Sequence, residues 1–276
     1  MTSFDLQSAD TYLTRARASN KSGQLEAALA SYREAARLFS EARDERGLAR
    51  CWSGMAKVYG KQKELGLSIE AFQQAAEHAS LAGWYEKELE NLYNLGLSWQ
   101  QLGVKGANLA QVGKAVAAFQ KALEIARRLD DRQSAGVLLI SLGFACDWMK
   151  YDEKAILYFK EAAPFALDNV DFDTAFSALS SLGVLLSNHN RAVEAIPYYE
   201  RALELAKSAE GDLVAVADTY ANLGIAYEKA DRLEEALEAI DTYREILHVS
   251  GDVKAAQAAA MVKRLKQKLE NQARRR

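Results

Sequence analysis

Histidine and cysteine are the residues of this chain best suited to metal binding or nucleophilic chemistry, and both are rare and scattered. The histidines, His78, His189 and His248, lie far apart in the sequence, and no Cys-x-x-Cys motif occurs. A zinc site needs ligands at short, regular spacing. Cys51 and Cys146 are also well separated, which favours two buried thiols over a disulfide. These residues predict neither a metal site nor a cofactor.

A glycine-rich segment and two carboxylate pairs are the other features that could support chemistry. Residues 103–113 contain three glycines but lack the Gly-Lys-Ser/Thr ending of a phosphate-binding loop. The neighbours Asp130 and Asp131 fall at a predicted helix end, as do Glu234 and Glu235, where solvated charge is the usual role. We therefore predict that the protein is not an enzyme.

A recurrent pattern of small residues predicts pairs of closely packed helices along the chain. About every forty residues a small residue returns, and a second small residue and a large apolar one follow it. Glycine inside a helix costs roughly 0.8 to 1 kcal/mol relative to alanine, so glycine at one repeated position indicates close helix approach. The small residues are Ala16, Ala56, Gly96, Gly143, Gly183 and Gly224; the large ones, expected to fill the gap between neighbouring hairpins, are Tyr32, Phe72, Phe119, Phe159, Tyr199 and Ile240.

This pattern resembles the tetratricopeptide repeat, a unit of two antiparallel helices. The usual unit has about 34 residues, whereas these markers are about 40 residues apart, which is similar to the long-repeat branch of kinesin light chains and LGN-type adaptors. The resemblance implies an all-α fold: a right-handed α-solenoid of about six helix-turn-helix repeats plus a C-terminal capping helix. The expected repeats are 9–48, 49–88, 89–135, 136–175, 176–216 and 217–252, and the expected cap with its basic tail is 253–276.

The third interval between markers holds about seven additional residues, in the glycine-rich segment 103–113. We expect these residues to form a surface loop between the two helices of the third repeat. Insertions in such arrays map to loops that sometimes carry function. The sequence leaves open whether this loop contacts a partner or is a tolerated insertion.

The C-terminal segment 253–276 is basic, with eight Lys or Arg and one acidic residue, Glu270. A repeat array needs a polar-faced cap at its end, so we expect a solvated cap or attraction to the acidic body of another copy. Nucleic acid is less favoured, since the segment has no aromatic residue for base stacking. An anionic membrane surface is the other minor alternative. Tyr243 stands where earlier repeats have alanine, so the outward packing of the last repeat should differ.

The resemblance further implies an inner groove lined by the first helix of each repeat. An amide both donates and accepts hydrogen bonds, so Asn94 or Asn222 could hold a partner's main chain. The open alternative is that these amides cap or bridge helices. The residues two positions before the small crossing residue are Thr14, Gly54, Asn94, Ser141, Ser181 and Asn222.

The position directly after the crossing residue predicts a groove that is basic at its start and apolar from its middle onward. It holds Arg17, Lys57, Leu97, Phe144, Val184 and Ile225. Arg50 should add positive charge, and Ile140 should add apolar area. Core packing is the open alternative for Leu97, Phe144 and Trp148. The candidate partner-binding residues are Arg17, Arg50, Lys57, Tyr93, Asn94, Leu97, Ser141, Phe144, Trp148, Ser181 and Asn222.

Taken together, these features predict a non-enzymatic protein–protein interaction scaffold or adaptor that binds an extended or helical partner segment in the concave groove. The alternative is a self-assembling structural array without a groove ligand. No apolar run of about 18 residues occurs, and the first residues lack a basic region followed by an apolar stretch, so we expect a cytoplasmic protein. Nothing in the sequence identifies the partner.

Overall fold

A computed structural model describes residues 3–164, 172–208, 213–250 and 252–274 of the 276-residue chain. The described residues form thirteen α-helices and no strand. The all-α, solenoid-type fold predicted from the sequence is therefore confirmed. The helices fall into two compact units, which are treated separately below: an N-terminal unit up to Lys150 and a C-terminal unit from Tyr151.

The N-terminal unit contains seven helices, the first six of which pack as three successive antiparallel hairpins. The first and second helix of each hairpin contact each other along their length, and each second helix also packs on the first helix of the next hairpin. The helices are α1 (Ser3–Lys21), α2 (Leu25–Ala42), α3 (Glu45–Lys61), α4 (Leu65–Leu81), α5 (Tyr85–Lys105), α6 (Leu109–Arg128) and α7 (Arg132–Trp148). Neighbouring first helices contact each other as well: α1 with α3, and α3 with α5.

The C-terminal unit contains six helices with the same pairing. The helices are α8 (Asp152–Ala162), α9 (Phe172–Asn188), α10 (Ala192–Ser208), α11 (Leu213–Lys229), α12 (Leu233–Ser250) and α13 (Ala255–Ala273). Helix α9 pairs with α10 and α11 with α12, α10 packs on α11, and α13 packs on α12. Helix α1 begins six residues before the repeat start expected from the sequence, and each of the other first helices begins four residues before it. The expected fourth repeat is divided between the two units.

The small crossing residues allow large side chains to lie directly on the backbone of the facing helix. A Cβ added at Gly96 would overlap the ring of Phe119, which is fully buried on α6 of the same hairpin. Added Cβ atoms at Gly183 and Gly224 would likewise overlap Tyr199 and Ile240 of their own hairpins. These large residues were expected between hairpins. That expectation was incomplete, because they pack first within their own hairpin.

Contact with the next hairpin is nevertheless present at the beginning of the chain. Gly54 of α3 lies against the ring of Tyr32 of α2, and Gly47 of α3 lies against the ring of Phe39. Tyr32 and Phe39 are both buried. One aromatic side chain can therefore fix both the hairpin angle and the approach of the following hairpin.

The seven additional residues of the third repeat lengthen its helices and do not form the predicted loop. Helices α5 and α6 have 21 and 20 residues, whereas α3 and α4 of the preceding hairpin have 17 each. Only residues 106–108 separate α5 from α6. The prediction of a projecting loop at 103–113 was wrong because two of its three glycines lie inside helices: Gly103 packs tightly against Val112, and Gly113 has open space around it.

Short turns join the helices, and each described turn has one residue in the left-handed region, with φ between 49° and 78°. Aspartate or asparagine then starts three of the following helices: the side chains of Asp44, Asn108 and Asp131 accept a hydrogen bond from the backbone N–H three residues later. Asp130 and Asp131 thus have the helix-end role predicted for them. The left-handed residues are Gly23, Arg43, Lys63, Gly83, Ala107, Asp130, Lys150, Asn190 and Asp231.

Helix α13 covers the end of the last hairpin, as expected for a cap. Ala258 and Leu265 of α13 are fully buried. Ala258 clusters with Tyr243 of α12, so the small residue missing at position 243 is supplied by the opposite helix. Arg264 and Lys268 of α13 both form ion pairs with Glu228 of α11.

The two glycines Gly96 and Gly113 provide a matched test of the helix crossing. Gly96→Ala should lower the free energy of unfolding by about 1 to 3 kcal/mol, because the added methyl group overpacks against the Phe119 ring. Gly113→Ala should raise it by up to about 1 kcal/mol, because the site is open and alanine favours the helix. Chemical denaturation of both variants checks this; equal effects would contradict the close-approach role of Gly96.

Candidate functional site

The first helices of the N-terminal unit form the surface on which the sequence placed most of its candidate residues. Arg17, Lys57 and Leu97 occupy equivalent positions on α1, α3 and α5, and all three are exposed. We call the side of these three helices that carries Arg17, Lys57 and Leu97 the first-helix face. Leu97 is 38% exposed, so it is a surface residue, and the alternative of ordinary core packing does not describe it.

The position two residues before the crossing point is less uniform than predicted. Gly54 is buried beneath Tyr32 and offers no surface, while Thr14 is exposed. Asn94 and Ser141 are half-buried. Of this set, Thr14 and Asn94 therefore contribute polar surface to the first-helix face, and Ser141 does so on α7.

Each of these polar side chains donates a hydrogen bond to its own helix. Asn94 Nδ2 donates to the carbonyl of Glu90 at 2.8 Å, Ser141 Oγ to the carbonyl of Val137 at 2.9 Å, and Thr14 Oγ1 to the carbonyl of Asp10 at 2.8 Å. None of these bonds bridges two helices, which was the alternative for the asparagines. The bond from Asn94 uses one of the two N–H donors of its amide and orients the group.

A network of ion pairs joins neighbouring first helices and neutralises part of the predicted basic region. Glu90 of α5 accepts hydrogen bonds from Lys57 of α3 at 2.8 Å and from Lys87 at 2.6 Å. Lys61 of α3 donates to the side chain of Asn20 on α1 at 2.6 Å. The sequence did not predict this role of Glu90. Its position three residues after Lys87 is nevertheless a spacing typical of an ion pair on one helix.

Arg50 of α3 contacts both α1 and α2. Its guanidinium forms an ion pair with Asp10 of α1 at 3.2 Å and lies 5.4 Å from the centroid of the Phe39 ring on α2. Its side chain is about a quarter exposed. These contacts tie α3 to α1 and α2, so the predicted contribution of Arg50 to a positive groove is largely compensated.

The pKa of Glu90 reports the strength of this network. Burial acts to raise the pKa of the carboxyl, but the hydrogen bonds from Lys57 and Lys87 outweigh burial and hold the pKa below its usual value. Glu90 is therefore ionised over the physiological range, and it holds both lysines in place. The first-helix face thus has a fixed arrangement of charge around Asn94 and Leu97.

Apolar side chains continue this surface in the second half of the N-terminal unit. Tyr93 of α5 is half-buried, with its ring centroid 6.0 Å from that of Phe119. Phe144 and Trp148 of α7 are also half-buried. Ile140, which was expected to add apolar surface, is 2% exposed and belongs to the core.

In the C-terminal unit, α9 and α11 have polar and apolar residues at the positions equivalent to those of Asn94 and Leu97. Ser181 and Asn222 are half-buried, and Val184 and Ile225 are exposed. Lys229 Nζ of α11 donates to the carbonyl of Ser187 on α9 at 2.8 Å. This unit therefore has its own polar and apolar positions equivalent to those of Asn94 and Leu97.

The histidine and cysteine side chains of the described residues have structural surroundings. No group of three His, Cys, Asp or Glu side chains among them could hold a metal ion. His78 of α4 contacts Glu45 of α3, and His189, in the turn after α9, contacts Asp152 of α8. Burial raises the pKa of the Cys51 thiol to about 12, so this thiol is protonated at neutral pH and is a poor nucleophile. Within the described residues, no helix is both long and apolar enough to cross a membrane.

Comparison with known families identifies the repeats in both units. The tetratricopeptide repeat profiles match residues 9–41, which include most of α1 and α2, and residues 174–247, which extend from α9 to α12. The chain therefore contains tetratricopeptide repeats, as the resemblance implied. No curated protein sequence matches the chain.

Solved structures similar to this chain share its fold at low sequence identity. The apo form of RapI has a TM-score of 0.62 and 15% identity, covering 95% of this chain and 99% of RapI. YrrB, described as a TPR protein with an unusual peptide-binding site, has a TM-score of 0.55 and 22% identity, covering 80% and 97%. A putative kinesin light chain from Podosopora anserina has a TM-score of 0.55 and 14% identity, covering 73% and 95%.

Replacement of Glu90 tests the ion-pair network. Glu90→Gln should lower the free energy of unfolding by about 0.5 to 1 kcal/mol at neutral pH, a small effect because solvent screens this partly exposed group. Since the folded pKa lies below the unfolded value, the stabilisation is present above about pH 4.3 and is lost as the pH falls through the folded pKa.

Denaturation of wild type and Glu90→Gln across this pH range measures the effect, and the two proteins should converge in acid. Glu70→Gln, at an exposed residue in the second turn of α4, is the control and should match the wild type throughout. A constant difference between wild type and Glu90→Gln at all pH values would contradict the role assigned to the charge.

Proposed function

We propose that this protein is a non-enzymatic scaffold that binds an extended or helical segment of a partner protein on the first-helix face. The observation that supports this most directly is the exposed Leu97 beside the oriented amide of Asn94, on a surface whose charges are held in fixed pairs. An amide can form hydrogen bonds with a peptide main chain, and an apolar side chain beside it can contact a side chain of that peptide. This combination suits a peptide better than a small reactive substrate.

In this proposal the candidate residues have different roles. Leu97 packs against an apolar side chain of the partner, and Phe144 and Trp148 extend the apolar contact along α7. Asn94 binds the partner's main chain through its amide. Arg17 is exposed and attracts acidic residues of the partner, while Lys57 contributes mainly by fixing Glu90.

The C-terminal unit supplies a second, separate contact of the same kind. Asn222 and Ser181 provide the polar positions, and Val184 and Ile225 provide exposed apolar surface. Because the residue types match those of the N-terminal unit, we expect a similar ligand: a main chain with apolar side chains.

The fold of the similar structures is in accord with a binding role. YrrB is described as having a peptide-binding site, and a tetratricopeptide array presents its first helices as an extended surface. The identities are too low to transfer a ligand, so the partner of this chain is proposed only as a peptide segment.

The alternative, a self-assembling array, depends on a last repeat that is open to another copy. Helix α13 packs on α12 and buries Ala258, Val262 and Leu265. Arg264 and Lys268 further attach the cap to Glu228. An attached cap removes the surface that end-to-end stacking would use, so the scaffold that binds a partner is the better proposal.

Affinity capture with paired baits tests the proposal. Wild type, Leu97→Glu with Asn94→Ala, and Leu67→Glu are used to capture proteins from a lysate of the source organism, with identification by mass spectrometry. Leu67 is an exposed leucine of α4, a second helix, and is the matched control. We expect a partner that is retained by wild type and Leu67→Glu and lost with the double variant.

A purified segment of that partner should then bind the double variant at least about tenfold more weakly than wild type, a loss of about 1.4 kcal/mol. Equal binding by all three baits would place the contact elsewhere and contradict the proposal. Recovery of the chain alone, together with concentration-dependent assembly in sedimentation velocity, would favour the self-assembling array.

A further inference from the structure

A cleft of about 810 Å³ lies between α4 and α6, the two second helices on either side of α5. Its floor is one stripe of α5, formed by Glu88, Leu92, Leu95 and Trp99 at successive turns of the helix. We call it the α4–α6 cleft. Every residue that lines it belongs to the N-terminal unit.

Each wall of the cleft is one face of a helix. On each side the lining residues recur at i, i+3, i+4 and i+7, which is one face of a helix over about 10 Å. The small residues Ala76, Ala117 and Ala118 keep both walls low, so another helix can approach closely. The full walls are Gln73, Ala76, Glu77, Ser80 and Leu81 on α4, and Lys114, Ala117, Ala118 and Lys121 on α6.

This cleft is on a different side of α5 from the first-helix face. Leu97 is two residues from Leu95, which corresponds to a rotation of roughly 200° about the helix axis. One side of α5 therefore carries Leu97 and Asn94, and the other carries the floor of the cleft. A ligand in the cleft does not compete for the surface assigned above.

The two walls carry opposite charge. Lys114 and Lys121 are exposed on α6, and neither has a carboxylate partner within the part of the chain that the structure describes. The ammonium of Lys114 lies 4.3 Å from the centroid of the Trp99 ring, at one end of the floor. The α4 wall has Glu77, and Glu88 lies at the opposite end of the floor.

We propose that the α4–α6 cleft binds one amphipathic helix of a partner protein, with its apolar stripe on Leu92, Leu95 and Trp99 and with acidic residues seven apart facing Lys114 and Lys121. The repeat of seven residues between the lysines matches two turns of a bound helix, so two carboxylates on one flank meet both cations. In helix-in-groove recognition the bound helix contributes apolar anchors at i, i+3, i+4 and i+7, and this is the pattern expected of the ligand.

The charge of the α6 wall also argues against the chain's own cap as the occupant. Helix α13 is strongly basic, with Lys263, Arg264, Lys266 and Lys268 against one acidic residue, Glu270. Placed in the cleft of a second copy, it would bring cations against Lys114 and Lys121. An acidic flank gives complementary charges, and this favours a different protein.

A phage-displayed library of helical peptides tests the proposal on the full-length protein. The probe has leucines fixed at i, i+3, i+4 and i+7, and its two flanks are randomised between glutamate and lysine. We expect enrichment of peptides with glutamates seven apart on one flank. Fluorescence anisotropy of an enriched peptide should show at least tenfold weaker binding to Ala117→Arg, which fills the trough at an exposed position.

Charge reversal and an independent control complete the test. Lys114→Glu with Lys121→Glu should reverse the flank preference from glutamate to lysine. Leu97→Glu should bind the peptide like wild type, so failure of this proposal is distinguishable from failure of the first-helix face. Absence of enrichment, enrichment without an acidic flank, or binding unaffected by Ala117→Arg would overturn it. A dimer in sedimentation velocity that Ala117→Arg abolishes would instead identify a second copy as the occupant and would also overturn it.

Discussion

The close contact between a large buried side chain and a small residue on the facing helix is the constraint on which the rest of this structure depends. At Gly96 the α6 side chain of Phe119 lies where a Cβ would be, and the same contact recurs at Gly183 with Tyr199. Because a core at crystal-like density tolerates few voids and few overlaps, each such contact fixes the distance and angle of one hairpin. These contacts therefore determine which faces of the helices remain exposed.

Two exposed surfaces follow from this arrangement of α5. Its buried sides pack against the neighbouring helices, so its exposed residues divide between the first-helix face and the α4–α6 cleft. Leu97 belongs to the first and Trp99 to the second. The additional turn in α5 and α6 lengthens the helices that border the cleft, while the three-residue turn that joins them leaves no projecting loop. The insertion thus lengthens the helices that border the cleft and not the turn that connects them.

Polar contacts between successive first helices add directional support to this packing. Lys57 with Glu90 links α3 to α5, and Lys229 with the Ser187 carbonyl links α11 to α9. Exposed ion pairs contribute little free energy, so their main effect is to hold the paired cations in fixed positions. At the C-terminal end, the ion pairs of Glu228 attach the cap in the same manner, and α13 supplies the small residue that Tyr243 requires.

The sequence by itself determined the helical class, the repeat and the approximate helix positions, since the spacing of small and large residues is a local pattern that directly reflects helix crossing. It also indicated that Arg17, Lys57 and Leu97 would share one exposed face. The tertiary structure alone decided that Gly54 is covered by Tyr32, that Ile140 is core, and that Arg50 and Lys57 have acidic partners. Those outcomes depend on residues that are distant in sequence. The α4–α6 cleft has the same origin: three helices contribute one stripe each, and only their packing brings the stripes together.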